Sequence, residues 1–138
     1  MHTLEYDRIL ATMPKGLEKD VFDLLVQLYK YSSETVTRKE LVYNLFGKYV
    51  ENSKLANCLE DRQIRTAIEH LQRDGYPVIS SSGKPGYKLA GNDAEMESYI
   101  AELESRRDQL ADKIKALRQP RHKLTWTEPM KETQLGLL

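Results

Sequence analysis

Residues Asp61 to Ala90, DRQIRTAIEHLQRDGYPVISSSGKPGYKLA, switch from a helical to an alternating hydrophobic period within a few positions. Ile64, Ala67, Ile68 and Leu71 fall on one side of a helix, because residues three and four apart share a face. Asp61 suits its N-cap, and Asp74-Gly75 its end. YPVIS and GYKLA then alternate as two strands around a turn from Ser81 to Gly86, where Gly83, Pro85 and Gly86 supply the bend. A helix over 61–74 therefore leads directly into a hairpin with a glycine-rich, lysine-bearing tip.

Two more helices precede it. From Gly16 to Tyr31, Leu17, Val21, Leu24, Leu25, Leu28 and Tyr29 recur at helical spacing. Val36 and Thr37 favour a short extended piece, and in TRKE Thr37 caps a second helix while Glu40 reaches back. That helix buries Leu41, Val42, Leu45 and Phe46 and stops at Gly47. ENSKLANCLE is polar, with only Leu55 and Leu59 as anchors, and reads as a loop or a single turn. The expected class is α+β, mostly α. Helix, short strand, helix, helix and hairpin is the order of a winged helix-turn-helix domain, here over 1–91, which lays its third helix in the DNA major groove.

Opposite the apolar ridge of 61–74 lie Arg62, Thr66 and Arg73, with Gln63 and Arg65 on the flanks. Arg grips guanine and Gln grips adenine bidentately, and a Thr methyl meets a thymine methyl. The same residue types also fill solvated helix faces, and Glu69 on this side opposes phosphate. In the hairpin over 80–88, Ser80, Ser81 and Ser82 are phosphate donors, Gly83 and Gly86 permit close approach, and Lys84 and Lys88 carry charge. Arg38, Lys39, Lys48 and Lys54 add a local positive excess, enough for roughly two to four phosphate contacts per chain.

Any such attraction is local, since 21 Lys+Arg balance 21 Asp+Glu in a chain of 138 residues. That length suits one domain with an appendage. MHTLEYDRIL has neither a signal-peptide pattern nor an apolar span, and the single cysteine, Cys58, forms no internal bridge. A soluble cytoplasmic protein with no membrane contact is expected. His2, His70 and His122 have no metal-ligand spacing, no glycine loop cradles phosphate, and Cys58 lacks a histidine partner. No catalytic residue, metal or cofactor is expected.

Over 92–119 there is no helix breaker. Met96, Leu103, Leu110 and Leu117 repeat every seven residues with Ile100 and Ile114 between them, a coiled-coil seam interrupted by Arg107. It reads as a dimerisation helix or as a helix laid back on its own domain. Glu97 and Glu104 come early and Arg106, Lys113, Lys115 and Arg118 late, so an antiparallel homodimer sets unlike charges together. Pro120 ends the helix, and 120–138 reads as a flexible tail whose Trp126 either pins it down or meets a partner. The final residues Gln134, Leu135, Leu137 and Leu138 resemble the short peptide by which bacterial replication and repair proteins bind the sliding clamp. Leu138 stands where Phe is commoner, with the terminal carboxylate beside it.

RILATMPKG, the 61–90 stretch, the charged helix and the QLGLL ending together resemble the winged-helix proteins encoded in phage and prophage replication regions. The resemblance implies double-stranded DNA binding through Arg62, Gln63, Arg65, Thr66 and the wing near Ser82 to Lys84, in regulation of transcription or replication. A hairpin followed by a dimerising helix is also similar to bacterial replication terminator proteins. The long GKYVENSKLANCLE connection departs from the tight turn usual between the two helices. The alternative is an adaptor of the replication machinery that binds the sliding clamp through its tail.

Overall fold

The computed structural model describes residues 2–81, 84–122 and 125. The elements run α1 (His2–Thr12), α2 (Leu17–Tyr29), α3 (Arg38–Phe46), α4 (Asn52–Leu55), α5 (Leu59–Arg73), β1 (Val78–Ser81), β2 (Lys84–Leu89) and α6 (Asp93–Arg118). The molecule is mostly helical, with a small antiparallel sheet and a long C-terminal helix. It divides into two compact units, Met1–Glu102 and Leu103–Leu138, so the first turns of α6 belong with the first unit. Among the described residues no helix is long and apolar enough to cross a membrane.

The core of the first unit forms where the apolar ridges of α2, α3 and α5 meet: Phe22, Leu25, Leu41, Ile64, Ile68 and Leu71 are all fully buried. The Thr37 hydroxyl accepts from the Glu40 N–H at 3.2 Å and donates to its carboxylate at 3.0 Å, and Gly47 closes α3 at φ 66°. The expected cap and stop of the second helix are both present. Phe46, expected in the core, is 41 % exposed at the last position of α3.

Val78 of β1 pairs with Leu89 of β2, both turned into the core, and the register shifts between Ser80 and Ser81. Val36 joins the other edge of β2 through an isolated bridge, exchanging two backbone bonds with Tyr87 at 2.8 and 2.9 Å. Part of the stretch expected as the turn is strand. Lys84, Pro85 and Gly86 belong to β2, and the Gly86 backbone, at φ 111°, lies against Val36.

Helix α1 was not expected from the sequence. Ile9 and Leu10 pack against the core, Asp7 pairs with Lys30 at 3.1 Å, and an aromatic side chain anchors the helix. Tyr6 is buried, meets Phe22 and Tyr29 edge-on at 6.2 and 5.3 Å, and donates its hydroxyl to the Ala90 carbonyl just past β2. Burial, with the nearby Tyr29, Glu5 and Glu95, pushes the Tyr6 phenol up to about 12. A phenol whose folded pKa exceeds its unfolded value stabilises the fold fully below the unfolded value, near ~10, and loses that contribution as pH rises through the folded one. Tyr6→Phe should therefore unfold at lower denaturant by about 1–2 kcal/mol at neutral pH, since the Ala90 carbonyl loses its donor. Between about pH 10 and 12 the variant should also lose less stability than the parent.

The start of α5 also differs from expectation. The helix begins at Leu59 with Cys58 as its N-cap, and Asp61 lies inside the first turn with its side chain fully buried. Asp61 does not cap because two guanidinium groups take its carboxylate. The expected single turn in ENSKLANCLE is α4. Trp126 and the clamp-like Gln134, Leu135, Leu137 and Leu138 lie outside the described residues.

Candidate nucleic-acid interface

The ridge that α5 buries determines what it shows on the other side. With Ile64, Ala67, Ile68 and Leu71 against the core, Arg62, Gln63, Thr66, Glu69, His70 and Arg73 are exposed. The exposed Thr66 donates its hydroxyl back to the Arg62 carbonyl at 3.0 Å. No ion pair is formed by Arg62 among the described residues. Arg73, by contrast, pairs with Glu69 at 2.7 Å on the exposed face, and His70 lies 2.9 Å from Glu18 of α2.

Beneath this face sits a buried charge clamp. Asp61 accepts Nε of Arg38 at 2.8 Å and, on its second oxygen, a further bond from the same guanidinium; Arg65 adds another at 2.9 Å. Burial pushes the Asp61 carboxyl up, but the bonds and charges of Arg38 and Arg65 outweigh it and hold the group below the ordinary aspartate value. The Asp61 bond in turn raises Arg38 above its usual value. Arg38 opens α3 and Arg65 belongs to the second turn of α5, so the clamp ties the N-terminal ends of both helices into one basic ledge. Both guanidiniums remain partly open, at 33 and 41 % side-chain exposure. Tyr87 of the hairpin borders the same ledge; burial raises its phenol, against the lowering effect of Arg38.

The outlying cations divide. Lys39 is 4.4 Å from the centre of the Tyr49 ring and donates to its hydroxyl at 3.1 Å, on the surface beside α3. Lys48 reaches Glu60 at 3.4 Å. Lys88 turns to Glu95 at 2.6 Å and to the Ser33 carbonyl at 3.1 Å with 18 % side-chain exposure, so it binds the start of α6 to the hairpin instead of joining the outward cations. Gln72 supports the same junction, donating to the Val78 carbonyl at 3.0 Å and the Tyr99 hydroxyl at 3.1 Å. Lys84 opens β2 opposite Ser81, and Ser82 lies outside the described residues.

One feature of this face was not expected from the sequence. Arg62, Gln63 and Thr66 form one wall of an open cleft of about 840 Å³ whose other walls include Leu17, Phe46 and Leu59. The loop and first turn that precede the α2 ridge thus flank the α5 face. Leu59, 59 % exposed at the first position of α5, and the outward Phe46 make the cleft partly apolar. The residue pattern did not announce it, because Leu59 read as a loop anchor, whereas α5 starts at Leu59 and sets it on a helix face. Compared with protein families, with curated proteins and with solved structures, the chain gives no match.

Proposed function

We propose that the first unit is a winged helix-turn-helix domain that binds double-stranded DNA and regulates transcription or replication, with α5 as the major-groove reader and the β1–β2 hairpin as the wing. The order α2, the Val36 strand, α3, α5 and hairpin supports the fold reading. A single observation carries the function: Arg62, Gln63 and Thr66 stand exposed and outward on the N-terminal half of α5, beside a ledge in which Arg38 and Arg65 are pre-oriented by Asp61. Arg62 and Gln63 read base edges; Arg38, Arg65 and the wing meet phosphate, Lys39 at the margin. Arg73 contributes less, because Glu69 holds it. The chain acts as a homodimer that presents two copies of α5 to a symmetric site.

Arg62→Ala with Gln63→Ala is the test, since neither side chain supports the core. Duplex fragments enriched from random sequence should bind the double variant at least ~10-fold more weakly, at about 1–3 kcal/mol per lost bidentate contact, with an unchanged unfolding midpoint. Equal binding by parent and variant across a salt series would reject the reading. Arg65→Ala is a poorer probe because it also weakens the clamp.

A second reading, an adaptor of the replication machinery that engages the sliding clamp through residues 134–138, is favoured by the exposed Phe46 and Leu59 in the cleft. Such a surface suits a protein partner. Deleting 134–138 should then abolish association with the sliding clamp and leave duplex binding intact.

A further inference from the structure

Among the described residues the apolar stripe of α6 has no cover. Ile100, Leu103, Leu110, Ile114 and Leu117 are 36, 42, 56, 50 and 73 % exposed. Met96, which begins the heptad pattern, is half-buried in the first unit, and its neighbour Glu95 is taken by Lys88. The free seam therefore runs from Ile100 to Leu117, shorter than the repeat suggests. An amphipathic helix of this kind exposes its stripe only at a continuing cost in hydration, which a second apolar stripe removes.

The geometry points to a second copy of this chain as the occupant, with the two α6 helices antiparallel. Antiparallel seams pack each a position against a partner d position, and this seam is self-complementary in that register: Ile100 meets Leu117, Leu103 meets Ile114, and Arg107 meets Leu110, each pair twice by symmetry. A parallel pair instead sets the two Arg107 side chains in the same layer, face to face. Arg107 is 69 % exposed and, among the described residues, paired to Glu104 at 3.9 Å and Asp108 at 3.3 Å on its own helix, neither of them free to neutralise a second guanidinium there. Offset against Leu110, its stem covers the apolar layer while its head stays in water.

The flanking charges favour the same orientation. Asp93, Glu95, Glu97, Glu102 and Glu104 occupy the first half of α6 without a cation, whereas Arg106, Arg107, Lys113, Lys115 and Arg118 outnumber Asp108 and Asp112 in the second. Antiparallel pairing lays the acidic half on the basic half and brings Glu104 to the partner's Arg118 at both ends. In a parallel pair Glu104 faces only Tyr99. Like-charge contacts cancel in the comparison, since Arg106 faces Lys113 in one arrangement and Lys113 faces Arg118 in the other. The inference supplies the interface for the homodimer in the proposed function, but it stands on α6 alone and needs no DNA.

Cysteine pairing reads the orientation directly, in the full chain with its one native cysteine replaced by Cys58→Ser. Ile100→Cys and Leu117→Cys chains, distinguished by a mass tag, are mixed and mildly oxidised. The expected product is the mixed disulfide, at least ~10-fold over either self-linked product. Self-linked dimers of each variant would overturn the antiparallel register. Light scattering of the unsubstituted chain should give the mass of two chains, and Leu103→Glu with Leu110→Glu the mass of one. A single-chain mass for the unsubstituted protein, or one of three or more chains, would overturn the pairing itself. Because no duplex is present, these results are independent of the Arg62 test: duplex binding that needs Arg62 in a single-chain protein leaves the reading of α5 standing.

Discussion

Gly86→Ala is expected to cost about 3–5 kcal/mol or to prevent folding, a penalty reserved for a few mechanisms such as backbone strain and forced overlap. Both act here. At φ 111° an L side chain is strained by about 1–2 kcal/mol, and a Cβ on Gly86 would come 2.1 Å from the Val36 carbonyl oxygen and 2.7 Å from its carbon. Those atoms are backbone, so no rotamer change relieves the contact. Relief requires β2 to part from Val36, which breaks the two Val36–Tyr87 bonds and loosens the segment that delivers Arg38 to the clamp. Gly75→Ala is the control: its φ is 87°, yet a Cβ there meets nothing within 4 Å. It should lose only the strain, about 1–2 kcal/mol. Guanidinium unfolding of the two variants beside the parent measures the difference, and equal midpoints would refute the close approach.

Arg38→Met should destabilise the first unit by about 3 kcal/mol, because it leaves the fully buried Asp61 with Arg65 alone. Removing both charges is expected to cost much less, so Arg38→Met with Asp61→Leu should recover most of the loss. The pH dependence provides a second signature. Asp61 has its folded pKa depressed, so its contribution is present above the unfolded value, near ~3.9, and disappears as pH falls through the folded one. The parent should therefore lose stability below about pH 4, and Asp61→Asn should show a shallower acid limb. In Arg38→Met the burial effect is less opposed, so the folded value moves back toward the unfolded one and the acid limb should likewise be shallower than the parent's. Urea midpoints measured from neutral to acid pH check all three. An acid limb that is identical in parent and Asp61→Asn would remove the clamp from the account.

The two variants probe different links between fold and proposed function. Gly86 sets where the α3 entrance lies against the hairpin; Asp61 sets where two guanidiniums point once that entrance is in place. A DNA-binding loss in either variant therefore reports the ledge, whereas a loss in Arg62→Ala with Gln63→Ala reports the reading residues themselves.

Legibility tracked how local the cause was. The Thr37–Glu40 box and the Gly47 stop are decided by neighbours three or four residues apart, and both were readable from the sequence. The α5 ridge was readable for the same reason, and with it the outward placement of Arg62, Gln63 and Thr66. Asp61 was misread as a cap because an aspartate ahead of an apolar run usually serves its own backbone. Its actual partner, Arg38, is twenty-three residues away, and no local pattern announces it. Lys88 looked like a wing cation until Glu95 and the Ser33 carbonyl claimed it. Gly86 read as part of the turn, because a glycine needed for close approach and a glycine needed for a bend look alike in one dimension. Helix α1 went unseen because its anchors are distant in sequence: Tyr6 reaches Ala90, eighty-four residues on, and Asp7 reaches Lys30.

By itself the sequence determined the periodicities, and through them which side of α2, α3 and α5 is buried and which residues α5 and α6 display. That followed because a helix has a fixed angle per residue and apolar side chains leave water. Only the tertiary structure decided which displayed charges are free and which are already spent: Arg38 and Arg65 on Asp61, Lys88 on Glu95, Arg73 on Glu69, with Arg62 in no ion pair among the described residues. The pairing of distant charges depends on where separate elements come to rest, and spacing along the chain does not encode that distance.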